Sequence, residues 1–256
     1  MSLTNKTAVV TGASRGIGRA IALRLAKDGA VVAVHYGSNA EAAEQTVAEI
    51  KAAGGQAFAI QAQLGDPAGI DALFEGLSAE LPGGLDILVN NAGGGGGAGS
   101  LEELTPEQVD ALFAVNVSAP LFITQRALPV LRDGGRIVNI SSCAPRVAAP
   151  SQVAYAMSKG AIDVLTKTLA VQLGPRGITV NAVAPGATET EGMAMFLNAN
   201  PQMRASMSAM TALGRVGQPA DIADVVGFLA SEDARWITAN VIDVSGGTAI
   251  SPALGG

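Results

Sequence analysis

Tyr155 and Lys159 stand four residues apart in Tyr155-Ala156-Met157-Ser158-Lys159. In a helix that spacing brings both side chains onto one face. A free phenol ionises near about pH 10, too high for a good base at neutral pH, and an ammonium beside it stabilises the phenolate and lowers that value. Such a pair can move a proton to or from an oxygen atom. Ser141 and Ser142 follow an apolar run at 136–140 and add hydroxyls able to stabilise developing negative charge on oxygen. A helical Tyr with a Lys four later is common by chance, so its meaning depends on context.

A second cluster is Thr11-Gly12-Ala13-Ser14-Arg15-Gly16-Ile17-Gly18, placed after the first apolar run and opening a helical pattern. It is longer than the strict G-x-G-x-x-G spacing but occupies the same place. Gly12 allows the sharp turn, Gly16 removes a side chain where backbone must approach a pyrophosphate, and Gly18 lets the helix pack on the sheet. The helix N-terminus then offers free N–H groups and its positive dipole end to phosphates. An NAD site carries an acid about 20 residues beyond the glycines, on the ribose 2′-hydroxyl. Here the second run ends His35-Tyr36-Gly37-Ser38-Asn39, and no acid comes before Glu41. Arg15 can supply positive charge to a 2′-phosphate, and Ser38 and Asn39 can donate hydrogen bonds, which favours NADP(H). His35 reads as an ordinary strand-end residue without a catalytic role.

These residues need elements to position them. Short apolar runs lie at 7–11, 30–35, 56–61, 86–90, 136–140, 179–183 and 241–244. Amphipathic helical stretches alternate with them at 17–27, 40–53, 66–80, 106–131, 153–173 and 219–231. That alternation implies parallel βαβ units, right-handed crossovers and an α/β doubly wound sheet covered on both faces. Ligands in such sheets bind outside the carboxyl ends of the strands. The glycine turn, Asn90-Asn91-Ala92-Gly93, Ser142 and Pro185-Gly186 all fall at such ends. Thr105-Pro106-Glu107 reads as a helix start, and Gly134-Gly135 and Gly174-Pro175 as helix ends. Residues 93–99 hold six glycines in seven positions and read as too flexible for an element. The stretch 187–210 carries Met193, Met195, Phe196, Leu197, Met203, Met207 and Met210, an adaptable apolar surface placed where a long insertion is usually functional. No repeat, charge block or linker divides the chain, so one domain over 1–256 is expected.

Composition excludes other chemistries. Of 256 residues 48% are hydrophobic and 15% charged, and the net charge is -6, which gives no broad attraction for nucleic acid or an anionic membrane. A single cysteine, Cys143, rules out an intrachain disulfide and a Cys-rich metal site, and a single histidine, His35, rules out a two-His zinc site, so no metal is expected. The N-terminal residues do not read as a signal peptide, and no apolar stretch reaches the roughly 18 residues of a spanning helix. The expected compartment is the cytoplasm.

Taken together, these motifs resemble the short-chain dehydrogenase/reductase family along essentially the whole chain. The resemblance implies a single Rossmann domain with a seven-stranded parallel sheet and helices on both faces. It also implies NADP(H)-dependent, reversible interconversion of a ketone and a secondary alcohol, and a homotetramer. Carried over by position, the catalytic tetrad is Asn116 (in Val115-Asn116-Val117), Ser142, Tyr155 and Lys159. Ser142 is preferred to Ser141 because its separation from Tyr155 matches the family pattern. In that pattern Tyr155 exchanges the proton, Ser142 stabilises the alkoxide, Lys159 holds the nicotinamide ribose and depresses the Tyr155 pKa, and Asn116 holds a water of the proton relay. The implied cofactor contacts are Gly12, Ser14, Arg15, Gly16, Ile17, Gly18, Tyr36, Ser38, Asn39, Gln63, Asn90, Ala92, Gly93, Tyr155, Lys159, Pro185, Gly186 and Thr188. Gln63 stands where the family usually has an acid near the adenine. Cys143 reads as a small buried filler.

Within the family the chain is most similar to the 3-oxoacyl-(acyl-carrier-protein) reductase branch, whose acidic partner implies basic residues near the entrance. Arg176 matches one such position; Asp133 occupies the other, with Arg132 beside it. The reading is therefore NADPH-dependent reduction of a free apolar or oxoacyl ketone, with a substrate lid at 187–212. The alternatives are the carrier-protein reductase of fatty acid synthesis, an alcohol dehydrogenase for a sugar or polyol, and a non-catalytic NADP(H)-binding sensor. The stretches 106–131, 153–173 and 243–256 are the tetramer contacts that the resemblance implies.

Overall fold

The computed structural model describes residues 2–94, 101–147 and 150–248. Seven strands, β1 (Thr7–Val10), β2 (Val31–Tyr36), β3 (Gln56–Gln61), β4 (Leu85–Asn90), β5 (Leu131–Ile140), β6 (Thr179–Pro185) and β7 (Val241–Val244), form one sheet in the order β3-β2-β1-β4-β5-β6-β7. Every neighbouring pair is parallel, and Ala8 of β1 lies in register with Val32 on one side and Ile87 on the other. β1 adjoins both β2 and β4, so the winding reverses there and opens a crevice at the carboxyl ends of β1 and β4.

The period of two along the strands distributes their apolar side chains between two cores. Val10, Val34, Val138 and Val183 face α1 (Gly16–Lys27), α2 (Ala40–Ala52) and α9 (Pro219–Ala230), packing on Ile21, Leu25, Val47, Ile222 and Val226. Val9, Leu88, Ile137 and Val180 face the other way, onto Leu73 of α3 (Pro67–Glu80), Ile123 of α5 (Ala119–Ala127) and Leu169 of α6 (Val153–Leu173). No helix among the described residues is long and apolar enough to cross a membrane.

Two local expectations need correction. The helix expected over 106–131 is broken: α4 (Pro106–Phe113) passes through a π-helical turn, Ala114–Ser118, into α5, which stops at Ala127. Pro120 has no N–H, so the Asn116 carbonyl loses its regular helical donor at that turn. Gly134-Gly135 does not end a helix. Both glycines lie inside β5, where its register with β4 shifts between Leu85 and Ile87. Gly134 has φ 74, and a Cβ on Gly135 would stand 2.9 Å from the Arg132 carbonyl oxygen, so the irregular strand start needs both glycines. The methionine-rich stretch contains two short helices, α7 (Glu191–Ala199) and α8 (Pro201–Ala209), with Leu197 fully buried as an anchor. Of the glycine-rich stretch 93–99, only Gly93 and Gly94 belong to the described residues.

Candidate active site

The glycine turn is held by hydrogen bonds from both flanking strands. Gly12 and Gly16 have φ values of 65 and 58, in the left-handed region that favours glycine. Asn91, just past β4, donates from Nδ2 to the Thr11 carbonyl at 2.7 Å and the Gly12 carbonyl at 3.1 Å. The Thr11 hydroxyl accepts the N–H groups of Asn91 and Ala92, each at 2.9 Å.

His35 is more than an ordinary strand-end residue. The Gly12 N–H donates to its Nδ1 at 2.9 Å, and its Nε2 lies 3.0 Å from the Ala62 carbonyl. Those partners require a neutral ring with its proton on Nε2. Burial pushes its pKa from 6.5 to about 4, against the opposing bond to Ala62. Below pH 6.5 the unfolded chain therefore takes up a proton that the native chain refuses. Stability is full above that value and falls, by about 3 kcal/mol in all, as pH drops towards about 4. Denaturant unfolding across this window should show that loss, and His35→Gln should remove most of its pH dependence.

The second half of the site lies across the crevice. Ser142 follows β5 with 9% exposure, and its Oγ accepts the Ala144 N–H at 3.1 Å. Tyr155 and Lys159 occupy the first turns of α6, and the lysine Nζ stands 5.8 Å from the centre of the tyrosine ring. That ammonium donates to the Ile140 carbonyl at 2.9 Å, and burial lowers its pKa to about 8, with Asp163 opposing the shift. Tyr155 departs from expectation, because its pKa is raised rather than depressed. Burial dominates, the Ser142 hydrogen bond pulls the other way, and the neighbouring Cys143 adds to the rise. Lys159 points its charge at the Ile140 carbonyl instead of the phenol, which explains the difference.

Asn116, in the π turn, is buried to 1% exposure. Its Oδ1 accepts the Gly94 N–H at 3.1 Å, and its Nδ2 donates to the Gly94 carbonyl and the Ser158 hydroxyl, each at 3.0 Å. The side chain therefore ties the loop after β4 to α6 and does not itself open into the crevice.

One cavity of about 760 Å³ collects most of the expected residues. Its wall includes Gly12, Arg15, Gly16, Ile17 and Gly18 of the turn, Gly93, then Ser142, Tyr155 and Lys159, and finally Pro185, Gly186 and Thr188. Ser14, Tyr36, Ser38, Asn39, Gln63, Asn90, Ala92 and Asn116 are not part of that wall. Asn90 is turned into the sheet, where its Nδ2 donates to Asn139 at 2.9 Å and Thr124 at 3.2 Å. Asn39 caps α2, its Oδ1 accepting the Ala42 N–H at 3.0 Å. Gln63 lies against Gly37 beyond the ends of β2 and β3, where a Cβ on Gly37 would meet its Oε1 at 3.4 Å. Cys143 is half-buried and borders the cavity, and burial raises its thiol pKa, so it remains a thiol at neutral pH.

The wall also holds residues outside the expected cofactor contacts, among them Asn91, Thr190 and Glu191. Asn91 replaces Asn90 as the amide facing the turn, a choice that strand alternation could have signalled. Thr190 and Glu191 come from the start of α7, and the Glu191 Oε2 accepts the Gly16 N–H at 2.9 Å. Nothing local in the sequence signals that contact, which joins positions 175 residues apart. Of the methionine set, Met193, Met207 and Met210 line the cavity opposite Val147 and Gln152, while Met195 is 76% exposed on the outer side. Glu189 secures this cover at its base by accepting from Arg204 and Gln218, and those bonds lower its pKa to about 2.

The two basic residues considered for an acidic carrier are both engaged internally. Arg176 donates to Asp133 at 2.8 Å, and Arg132 pairs with Asp86.

Residues 12–249 match the family model described as "Enoyl-(Acyl carrier protein) reductase". The chain is 42% identical to versicolorin reductase of Emericella nidulans over 96% of each chain. It is 38% identical to a probable tetrahydroxynaphthalene reductase of Zymoseptoria tritici, over 95% of this chain and 94% of that one. The crystal structure of the angucycline C-6 ketoreductase LanV with bound NADP superposes with a TM-score of 0.92 at 54% identity, covering 97% of both chains.

Proposed function

The chain belongs to the short-chain dehydrogenase/reductase family, and from that membership we propose that it uses NADPH to reduce a ketone on a fused-ring aromatic substrate to a secondary alcohol. The observation that carries this reading is the single cavity shared by the glycine turn and by Ser142, Tyr155 and Lys159. Relatives named for the reduction of versicolorin and tetrahydroxynaphthalene, and a ketoreductase solved with NADP, support the reaction and the cofactor. The methionines Met193, Met207 and Met210 support the ring system, since thioethers pack well on aromatic faces and edges.

The residues present fit the cofactor. Gly12 and Gly16 take left-handed backbone conformations at the start of α1, where a phosphate would replace the Glu191 carboxylate on the Gly16 N–H, and a Cβ on Gly93 would stand 2.9 Å from the Asn116 Oδ1 and 3.5 Å from the Lys159 Nζ. Arg15 is exposed at the turn without an ion-pair partner among the described residues, available for a 2′-phosphate. Tyr36, Ser38, Asn39 and Gln63 would serve the adenosine end, beyond the cavity wall. When bound, NADPH supplies a hydride to the carbonyl carbon. Tyr155 gives its proton to the carbonyl oxygen, and its raised pKa keeps the phenol protonated at neutral pH, the form a donor needs. The Ser142 hydroxyl stabilises the developing alkoxide. Lys159 holds the ribose hydroxyls with its buried ammonium. Asn116 keeps the relay water at its carbonyl, the group that lost its helical donor to Pro120.

Removing the Arg15 charge should cost NADPH about 10- to 100-fold in kcat/KM and leave NADH nearly unchanged, the weight of one or two charge-assisted hydrogen bonds. Initial rates of Arg15→Ala with each cofactor check this. The function itself is tested by cofactor consumption with a hydroxylated naphthalenone, an acetoacetyl thioester and a polyol. Preference for the fused-ring ketone supports the proposal, and preference for the thioester would return the oxoacyl reading. The internal pairing of Arg176 and Arg132 argues against an acyl-carrier partner. We further place the enzyme in the cytoplasm as one domain over 1–256, with 187–212 as the lid. It assembles as a homotetramer through exposed Leu121 and Phe122 on α5 and Val164 and Val171 on α6.

A further inference from the structure

Lys159 poses an electrostatic problem. Its side chain belongs to a residue only 5% exposed, yet it makes no ion pair among the described residues, and its ammonium donates to a neutral carbonyl, that of Ile140. A buried ammonium with neutral partners tends to lose its proton. Asp163 lies one helical turn further along α6, on the same face. The residue before the catalytic serine fixes its carboxylate: the Ser141 Oγ donates to the Asp163 Oδ1 at 2.5 Å and stands 3.4 Å from the Lys159 carbonyl oxygen. The carboxylate is thus tied to the end of β5 and to the helical turn that carries the lysine.

We propose that Asp163 is the counter-charge of Lys159, a positioning residue held by Ser141 that keeps the lysine protonated through neutral pH. The inference rests on the reading of Tyr155 and Lys159 as the proton-transfer pair. The surrounding charges agree with it. Asp163 is the one charged group that raises the Lys159 pKa against burial. Burial raises the Asp163 pKa above its ordinary value, and the Ser141 hydrogen bond, Arg146 in the turn after Ser142, Lys167 further along α6 and Lys159 itself oppose that rise and favour the carboxylate. Arg146 is also paired at 3.0 Å with Asp243 of β7, so that second carboxylate faces the arginine. Tyr155 and Cys143, the other titratable groups beside Ser142, are neutral at pH 7 because burial raises both.

The test is the pH dependence of kcat for ketone reduction. Asp163→Asn keeps an acceptor for Ser141 and removes only the charge, so the alkaline limb should move to lower pH by about one unit. That limb follows the Lys159 ammonium, which holds the ribose hydroxyls in the proposed reaction, and it shifts because the ammonium deprotonates earlier. Asp163→Glu restores the charge and should return the limb towards its original position, whereas Ser141→Ala should move it less than Asp163→Asn. A uniform fall in kcat at all pH values, or a fall in melting temperature with the limb unmoved, would make Asp163 merely structural and overturn the proposal. If Tyr155→Phe is inactive and Asp163→Asn leaves the limb in place, only this proposal fails. An active Tyr155→Phe enzyme overturns it together with the mechanism beneath it.

Discussion

Replacing Tyr155 with phenylalanine lowers kcat for ketone reduction by about 10³-fold, while NADPH affinity changes little. In the proposed reaction the phenol hydroxyl is the proton donor, and the ring packs beside Lys159 in a geometry that phenylalanine keeps. The substitution removes one oxygen from a site whose glycine turn lies across the cavity, so cofactor binding has no reason to weaken. Initial rates and an NADPH fluorescence titration on the same preparation separate the two effects. A variant that loses cofactor affinity but keeps kcat would mean that Tyr155 serves binding rather than proton transfer.

Gly18→Ala has the opposite signature: NADPH affinity falls roughly 100-fold, worth about 3 kcal/mol, and stability falls with it. An added Cβ would lie 2.2 Å from the Gly12 carbonyl oxygen and 2.4 Å from the Asn91 Nδ2. Both atoms belong to the hydrogen bond that fixes the phosphate turn, so the helix cannot accept the methyl group without opening the turn. Isothermal titration with NADPH and a thermal melt measure the two losses. Gly65→Ala is the control, since a Cβ there meets nothing within 4 Å.

The sequence carried the frame of this account because its signals are periodic or chemically narrow. β-branched runs alternating with helices specify parallel strands, and the structure has seven of them in the doubly wound order. Tyr155, Lys159, Ser142 and the glycine turn were legible through residue type, spacing and place at strand ends. Where local pattern ceased to decide, reading failed. Gly134 and Gly135 carry a helix-stop composition, yet tertiary pairing with β4 draws them into β5. The π turn follows from a single proline, a weak signal inside a long apolar periodicity. Strand alternation turns the Asn90 side chain into the sheet and leaves that of Asn91 to face the glycine turn. His35 read as incidental because its partners, Gly12 and Ala62, are remote in sequence. For the Tyr155 pKa, helix spacing alone places Lys159 nearby, and only the fold shows that its Nζ is directed to Ile140.

The central claim is that the hydride of NADPH passes to a ketone carbon in the cavity that Tyr155 and the glycine turn share. The most direct measurement is mass spectrometry of the alcohol formed from a fused-ring ketone with NADPH deuterated at both C4 positions. The account predicts one deuterium on the carbinol carbon, with formation of that product suppressed in Tyr155→Phe. An alcohol free of deuterium, or cofactor consumed with the ketone returned unchanged, would contradict it.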